Sequence, residues 1–155
     1  MSEEPRRVLV VDDSGFMRNL IKQIIAVDPA FTVVEEASDG NTAIVATKNS
    51  KPHIIVLDIE MPKMNGIEFM KRLRVFSLAR VIVLSKEVKL GSPIVDEVKK
   101  LGAFDVIAKP SGAISLDLKA KRGHQLLEAL HKAGNLPPPD FQALALRQKG
   151  VSLDN

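Results

Sequence analysis

The sequence predicts an α/β fold, a doubly wound sandwich built on a five-stranded parallel sheet. Three observations predict it. Short β-branched runs recur five times, helical periodicities fill the gaps between them, and four of the five runs are almost continuously apolar. Strands buried on both faces of a parallel sheet read that way, whereas a half-solvated strand alternates. A chain of 155 residues has room for one core joined by short right-handed crossovers.

The first run, RVLVV (7–11), is apolar from Val8 to Val11 and delivers Asp12 and Asp13 to its tip. Ser14 is a candidate N-cap for a helix in which Met17, Leu20, Ile21, Ile24 and Ile25 recur at helical spacing, ahead of Pro29. FTVVEEA (31–37) alternates more and suits a sheet edge. Ser38 or Asp39 then opens a second helix marked by Ala43, Ile44 and Thr47. HIIVLD (53–58) ends on Asp58, and Ile67, Phe69, Met70 and Leu73 mark a third helix. RVIVLS (80–85) ends on Ser85; Ile94, Val95, Val98 and Leu101 mark a fourth helix, stopped at Gly102. FDVIAK (104–109) ends on Lys109, followed by Pro110. A longer helical segment covers 116–133, with Leu126, Leu127 and Leu130 as core positions and Gly134 as its stop. Gly123 within it costs helix stability.

Beyond Gly134 the character changes. Three consecutive prolines form a stiff spacer, and Phe141, Ala143, Leu144 and Leu146 make a short apolar patch. The division is a domain over 6–133 and a proline-containing tail or linker over 134–155. A docked tail helix would favour a complete protein; a disordered tail would favour a linker cut short.

Composition bounds the function. Hydrophobic residues are 45% and charged residues 26% of the chain, the range of a globular domain. The net charge of +3 is too small and too dispersed for the basic stripe of a nucleic-acid binder. KAKR (119–122) is the densest basic patch and reads as a solvated helix face. Without cysteine there is neither disulfide nor thiolate chemistry, which suits a reducing compartment. The N-terminal MSEEPRR lacks a signal-like apolar segment and no run approaches a membrane span. The expectation is a cytoplasmic protein with no membrane insertion.

In doubly wound sheets chemistry collects beyond the carboxyl ends of the strands, so only residues at strand tips count as site candidates. Asp12, Asp13, Asp58, Ser85 and Lys109 pass. Three acids together require a cation. An all-oxygen set with no His or Cys suits a hard ion, Mg²⁺ or Mn²⁺. Lys109 adds a point charge for a phosphoryl oxygen and Ser85 a hydroxyl donor. A carboxylate can take a phosphoryl group as an acyl phosphate. Asp58 is the choice, because it lies on a central strand and leaves Asp12 and Asp13 for the metal. Phosphoryl transfer needs chiefly alignment and charge neutralisation. Each residue alone has a bland explanation, since strand-end acids are usually loop carboxylates or helix caps. Their joint occurrence at four tips of one sheet is much harder to produce by accident.

These residues carry a resemblance. VLVVDDSGFMR, IIVLDIEMPKMNGIEF, VIVLS and GAFDVIAKPSG resemble the receiver domain of two-component response regulators, over about residues 6–133. Glu60, the spacing from Ser85 to Gly102 and KPSGAISLDL (109–118) are most similar to the receiver of the chemotaxis protein-glutamate methylesterase. The resemblance implies a flavodoxin-like, CheY-like sheet in the order 2-1-3-4-5. It implies that Asp58 accepts phosphate from a CheA-like histidine kinase, and that the receiver itself catalyses transfer and dephosphorylation. Asp13, Asp58 and the backbone carbonyl of Glu60 would hold Mg²⁺, with Asp12 acting largely through water. Ser85 and Lys109 would hold the phosphoryl group, and the Lys109–Pro110 bond would be cis. Glu60 and Glu87, two residues beyond Asp58 and Ser85, would border the path of hydrolytic water and influence the phosphate's lifetime. Output would pass through the face of the fourth helix, fifth strand and fifth helix to a downstream protein or a tethered effector.

The sequence departs from the family at two places. Val106 stands where an aromatic switch residue is common, three positions before Lys109, and the chain has neither Tyr nor Trp. Lys86 follows Ser85 where a small residue is usual; its side chain is expected to swing into solvent. Other readings fare worse. A flavodoxin-like cofactor binder would not place two acids where a phosphate must sit. A phosphohydrolase would normally need a cap that this length hardly allows. A methylesterase needs a further domain with a serine in a Gly-rich turn, so the chain as given has no esterase site. A DNA-binding output does not fit a tail this short. A phosphorylation-independent binding module is the remaining competitor. His53, His124 and His131 lie away from the strand tips and suit packing or surface roles, and Met61, Met64 and Met70 suit loop and core packing.

Overall fold

The computed structural model describes residues 4–60, 66–86, 92–110 and 116–148, without the side chains of 116–122 and 148. Met61, Met64, Glu87 and the SGAIS segment lie outside the described residues, as do the side chains of the KAKR patch.

Five strands, β1 (Arg6–Val11), β2 (Phe31–Ala37), β3 (Ile54–Asp58), β4 (Arg80–Ser85) and β5 (Asp105–Ala108), pair in parallel in the order β2-β1-β3-β4-β5. The alternating second run is therefore an edge strand, as its pattern predicts, and a register shift opposite Val8 and Leu9 skips Val34. Between the strands run α1 (Gly15–Ala26), α2 (Gly40–Ser50), α3 (Gly66–Leu73) and α4 (Pro93–Lys100), and α5 (Leu116–Ala133) follows β5.

Alternate residues of each central strand feed two cores, because side chains on a strand point to opposite faces. Leu9, Val11, Ile55, Leu57, Val81 and Val83 pack with residues of α2, α3 and α4, including Phe69, Met70 and Val98. Val8, Val10, Ile54, Val56, Ile82 and Leu84 pack with Ile21 and Ile25 of α1 and Leu126, Leu127 and Leu130 of α5. Both faces of the central strands are thus dry. Burial of this apolar area is the main force holding the strand tips in place.

The punctuation residues act locally. Ser14 accepts the N–H of Met17 and caps α1. Asp39, rather than Ser38, caps α2 through a reciprocal pair with Thr42. Gly102, at φ 95°, ends the turn after α4. At the end of α5 the left-handed residue is Asn135, one beyond Gly134.

The tail folds back. α6 (Phe141–Gln148) buries Leu144 in the α1/α5 core, with Leu136 and Phe141 packed beside it. The Pro137 carbonyl lies 2.7 Å from His131 Nδ1, and His131 Nε2 lies 2.6 Å from Asp28 Oδ2. His124 stacks on Phe141 with centroids 4.0 Å apart. Two of the three histidines therefore serve packing of the tail. His53 accepts the backbone N–H of Arg7 through Nδ1.

Candidate functional site

The parallel register gathers the predicted residues at one end of the sheet. Asp12 follows β1, Asp58 and Ser85 close β3 and β4, and Lys109 follows β5. The sheet order, in which β1, β3, β4 and β5 lie side by side, makes these tips successive neighbours. Residues up to 97 positions apart in sequence thereby share one pocket.

Asp12 and Asp58 are each 1% exposed, whereas Asp13 faces solvent. Carboxylate oxygens of the three lie within 4.8 Å of one another. Asp12 Oδ1 accepts the Ser14 N–H at 2.9 Å, and Arg18 ties the Asp12 carbonyl at 2.8 Å. Asp58 Oδ1 accepts the Glu60 N–H at 2.9 Å and pairs with Lys109 Nζ at 2.7 Å. The second oxygen of each buried acid, Asp12 Oδ2 and Asp58 Oδ2, has no hydrogen-bond partner. Buried polar atoms without partners are rare and costly. Two of them beside a third carboxylate fit a hard divalent cation, whose oxygen-only preference matches this donor set.

The electrostatics carry the same strain. Burial is the main reason the Asp12 carboxyl is pushed up from 3.8 to about 6; the Ser14 N–H opposes this and the Asp58 charge adds to it. Burial also raises Asp58, against the hydrogen bonds of Lys109 and the Glu60 N–H. Lys109 therefore offsets only part of the cost of collecting these acids.

Ser85 is 5% exposed, and its hydroxyl lies 3.3 Å from Glu60 Oε1. The same Glu60 oxygen accepts the Lys86 N–H at 2.7 Å. The Lys86 side chain is exposed, as expected. Reading the sequence missed this use of the Glu60 side chain. The signal available was its place two residues past Asp58, which does not reveal where the carboxylate reaches.

One implied feature is corrected. No cis peptide occurs among the described residues, so the Lys109–Pro110 bond is trans, the isomer favoured for an X–Pro bond. Val106 is 9% exposed and packs in the α2/α3/α4 core. Phe104 is half-exposed, with the Arg80 guanidinium 5.1 Å from its ring. A separate hollow of about 670 Å³ opens at the other end of the sheet, beside Arg6, His53 and Arg80. Its two arginines donate to the Gly134 and Ala133 carbonyls that end α5, and it contains none of the converging acids.

A parallel sheet with acids, a hydroxyl and an ammonium at its carboxyl edge defines a class of α/β domain with an acidic tip pocket. Comparison with known proteins gives the family. The response regulator receiver domain matches residues 8–121, and the chain belongs to that family. It is 42% identical, over 98% of its length, to the protein-glutamate methylesterase/protein-glutamine glutaminase of Thermotoga maritima, covering 46% of that protein. The chain thus spans less than half the length of this relative. It is similar to the response regulator domain of Thermotoga maritima CheB at 42% identity and TM-score 0.77, covering 86% of this chain and 99% of that one. A structure described as the P1 domain of CheA3 in complex with CheY6 from R. sphaeroides matches at 34% identity and TM-score 0.72, over 86% of this chain and 99% of that one.

Proposed function

We propose that this receiver takes a phosphoryl group on Asp58 and signals by changing its affinity for a partner. One observation carries the reading most: Asp58 holds Lys109 2.7 Å from its Oδ1, while its Oδ2, like Oδ2 of the neighbouring Asp12, is buried without a hydrogen-bond partner. In the transfer a carboxylate oxygen of Asp58 attacks the phosphorus. The bond from phosphorus to the donor's nitrogen or oxygen breaks, and its electron pair leaves with the donor. Lys109 follows the charge to a phosphoryl oxygen, and Ser85 donates its hydroxyl to another. Asp13, Asp58 and the Glu60 carbonyl would hold Mg²⁺, with Asp12 acting largely through water; Mn²⁺ would suit the same oxygen-only set. When bound, the metal supplies the positive charge that neutralises the converging oxygens.

The donor is a histidine kinase of the CheA type, in chemotaxis signalling. Similarity to methylesterase receivers and to a chain solved with a CheA P1 domain supports this. Output passes through α4, β5 and α5; β5 is an edge strand and leads directly into Lys109. The chain corresponds to the regulatory region of a methylesterase-type protein, and no esterase step is assigned to these residues. No nucleic-acid role is proposed. No helix among the described residues is long and apolar enough to cross a membrane, and the proposed location is the cytoplasm.

Incubation with acetyl phosphate and Mg²⁺, followed by intact mass, tests the reading. One phosphoryl adduct is expected in the wild-type chain and none in Asp58→Asn. Wild-type protein that stays unmodified would favour a phosphorylation-independent binding module.

A further inference from the structure

The geometry points to Glu60 as an internal stand-in for the phosphoryl group: its carboxylate occupies the Ser85 and Lys86 donors before phosphorylation and must leave them for the phosphoryl oxygens to bind. The inference rests on the reading of Asp58 as phosphoacceptor. It concerns the donors beside it, and is distinct from any effect on hydrolytic water.

Three contacts carry it. The Glu60 N–H is fixed on Asp58 Oδ1 at 2.9 Å, so the Glu60 side chain starts from the wall of the pocket. Its Oε1 accepts the Lys86 N–H at 2.7 Å, a charge-assisted bond, and lies 3.3 Å from the Ser85 hydroxyl. Ser85 closes β4, next to the Asp58 tip in the sheet. One anionic oxygen therefore already sits on two donors at the tip beside Asp58, the position an anionic group on Asp58 would use.

Charge makes the two occupants exclusive. A phosphoryl group brings more negative charge and three acceptor oxygens to the same place. Glu60 cannot share the Ser85 and Lys86 donors with it, because like charges converging on one donor pair repel. Glu60 is otherwise exposed, so solvent is open to the displaced carboxylate. It is thus a positioning residue. It keeps the donors aligned and satisfied in the resting state, and it sets a threshold for loading Asp58.

The test uses beryllium fluoride, an analogue of the phosphoryl group, titrated with Mg²⁺ into the whole chain while the Lys86 amide is followed by ¹H–¹⁵N NMR. Wild type is compared with Glu60→Gln and Glu60→Ala. Without the probe, the Lys86 amide proton should lie downfield in wild type and move upfield in Glu60→Ala. Half-saturation should fall on the order of tenfold in Glu60→Ala, the weight of one charge-assisted bond. Glu60→Gln, uncharged but still able to accept, should fall between. Equal half-saturation in all three overturns the inference and leaves Asp58 as acceptor untouched. An unmoved Lys86 amide in Glu60→Ala overturns it as well. Failure of all three proteins to take the probe removes the phosphoacceptor reading, and the inference with it.

Discussion

Gly66 is held to glycine by its neighbours rather than by the helix it opens. A Cβ there would lie 2.9 Å from Ile59 Cα and 3.3 Å from the Asp58 carbonyl. Backbone cannot step aside cheaply, so Gly66→Ala pushes on the segment that presents Asp58. The expected cost is about 1–3 kcal/mol, with a chemical-shift change at the Ile59 and Glu60 amides; urea unfolding and amide spectra check both. Asp12 gives a pH prediction. Its folded pKa, about 6, lies above the ordinary 3.8. In the metal-free protein its contribution to stability is therefore fully present below about 3.8 and is lost as pH rises through about 6. A cation needs the charged form, so added Mg²⁺ should raise Tm more at pH 8 than at pH 5. Thermal unfolding at both values, with and without Mg²⁺, decides it; equal shifts would contradict the assignment. The acids themselves were legible in the sequence because each ends an apolar run. The reach of the Glu60 side chain and the crowding at Gly66 were not, since both depend on how the chain crosses between tips.

At the scale of elements, periodicity located the five strands and the first five helices among the described residues, with boundaries shifted by a residue or so. HIIVLD loses His53, which turns its ring to the Arg7 N–H. FDVIAK is trimmed to Asp105–Ala108, although the Phe104 and Lys109 N–H groups still donate to the Val81 and Ser85 carbonyls of β4. The edge position of β2 was legible from its alternation. The tail was only partly legible. Its apolar patch fitted either a turn or two of docked helix or a linker, and the His131 contacts could not be seen, because Asp28 is 103 residues away. Docking predicts that Leu144→Ala costs about 2 kcal/mol, at the low end for a buried leucine because the site lies at the margin of the core. Urea unfolding measures it; a change within error would mean that α6 does not pack in solution. The similarity to a methylesterase runs over 98% of this chain.

Across the whole molecule, the sheet order does the work that no local motif can. It places β3 between β1 and β4, so that Asp58 stands between a pair of acids and a hydroxyl, with Lys109 reaching in from the next strand. The cost is visible in two buried oxygens without partners and in carboxyls raised by burial. The cores on both faces hold the tips together against that repulsion, which a bound cation would relieve. This is the condition a phosphoacceptor site needs: charge gathered before the reaction, to be neutralised during it. On this reading Asp58, and neither of its acidic neighbours, carries the phosphate. An acyl phosphate is reduced by borohydride to the alcohol, which turns a phosphorylated aspartate into homoserine. The deciding measurement is peptide mapping after acetyl phosphate, Mg²⁺ and borohydride. Homoserine is expected at position 58, with Asp12 and Asp13 unchanged; homoserine at position 12 or 13, or at none of the three, would rule out Asp58 as the acceptor.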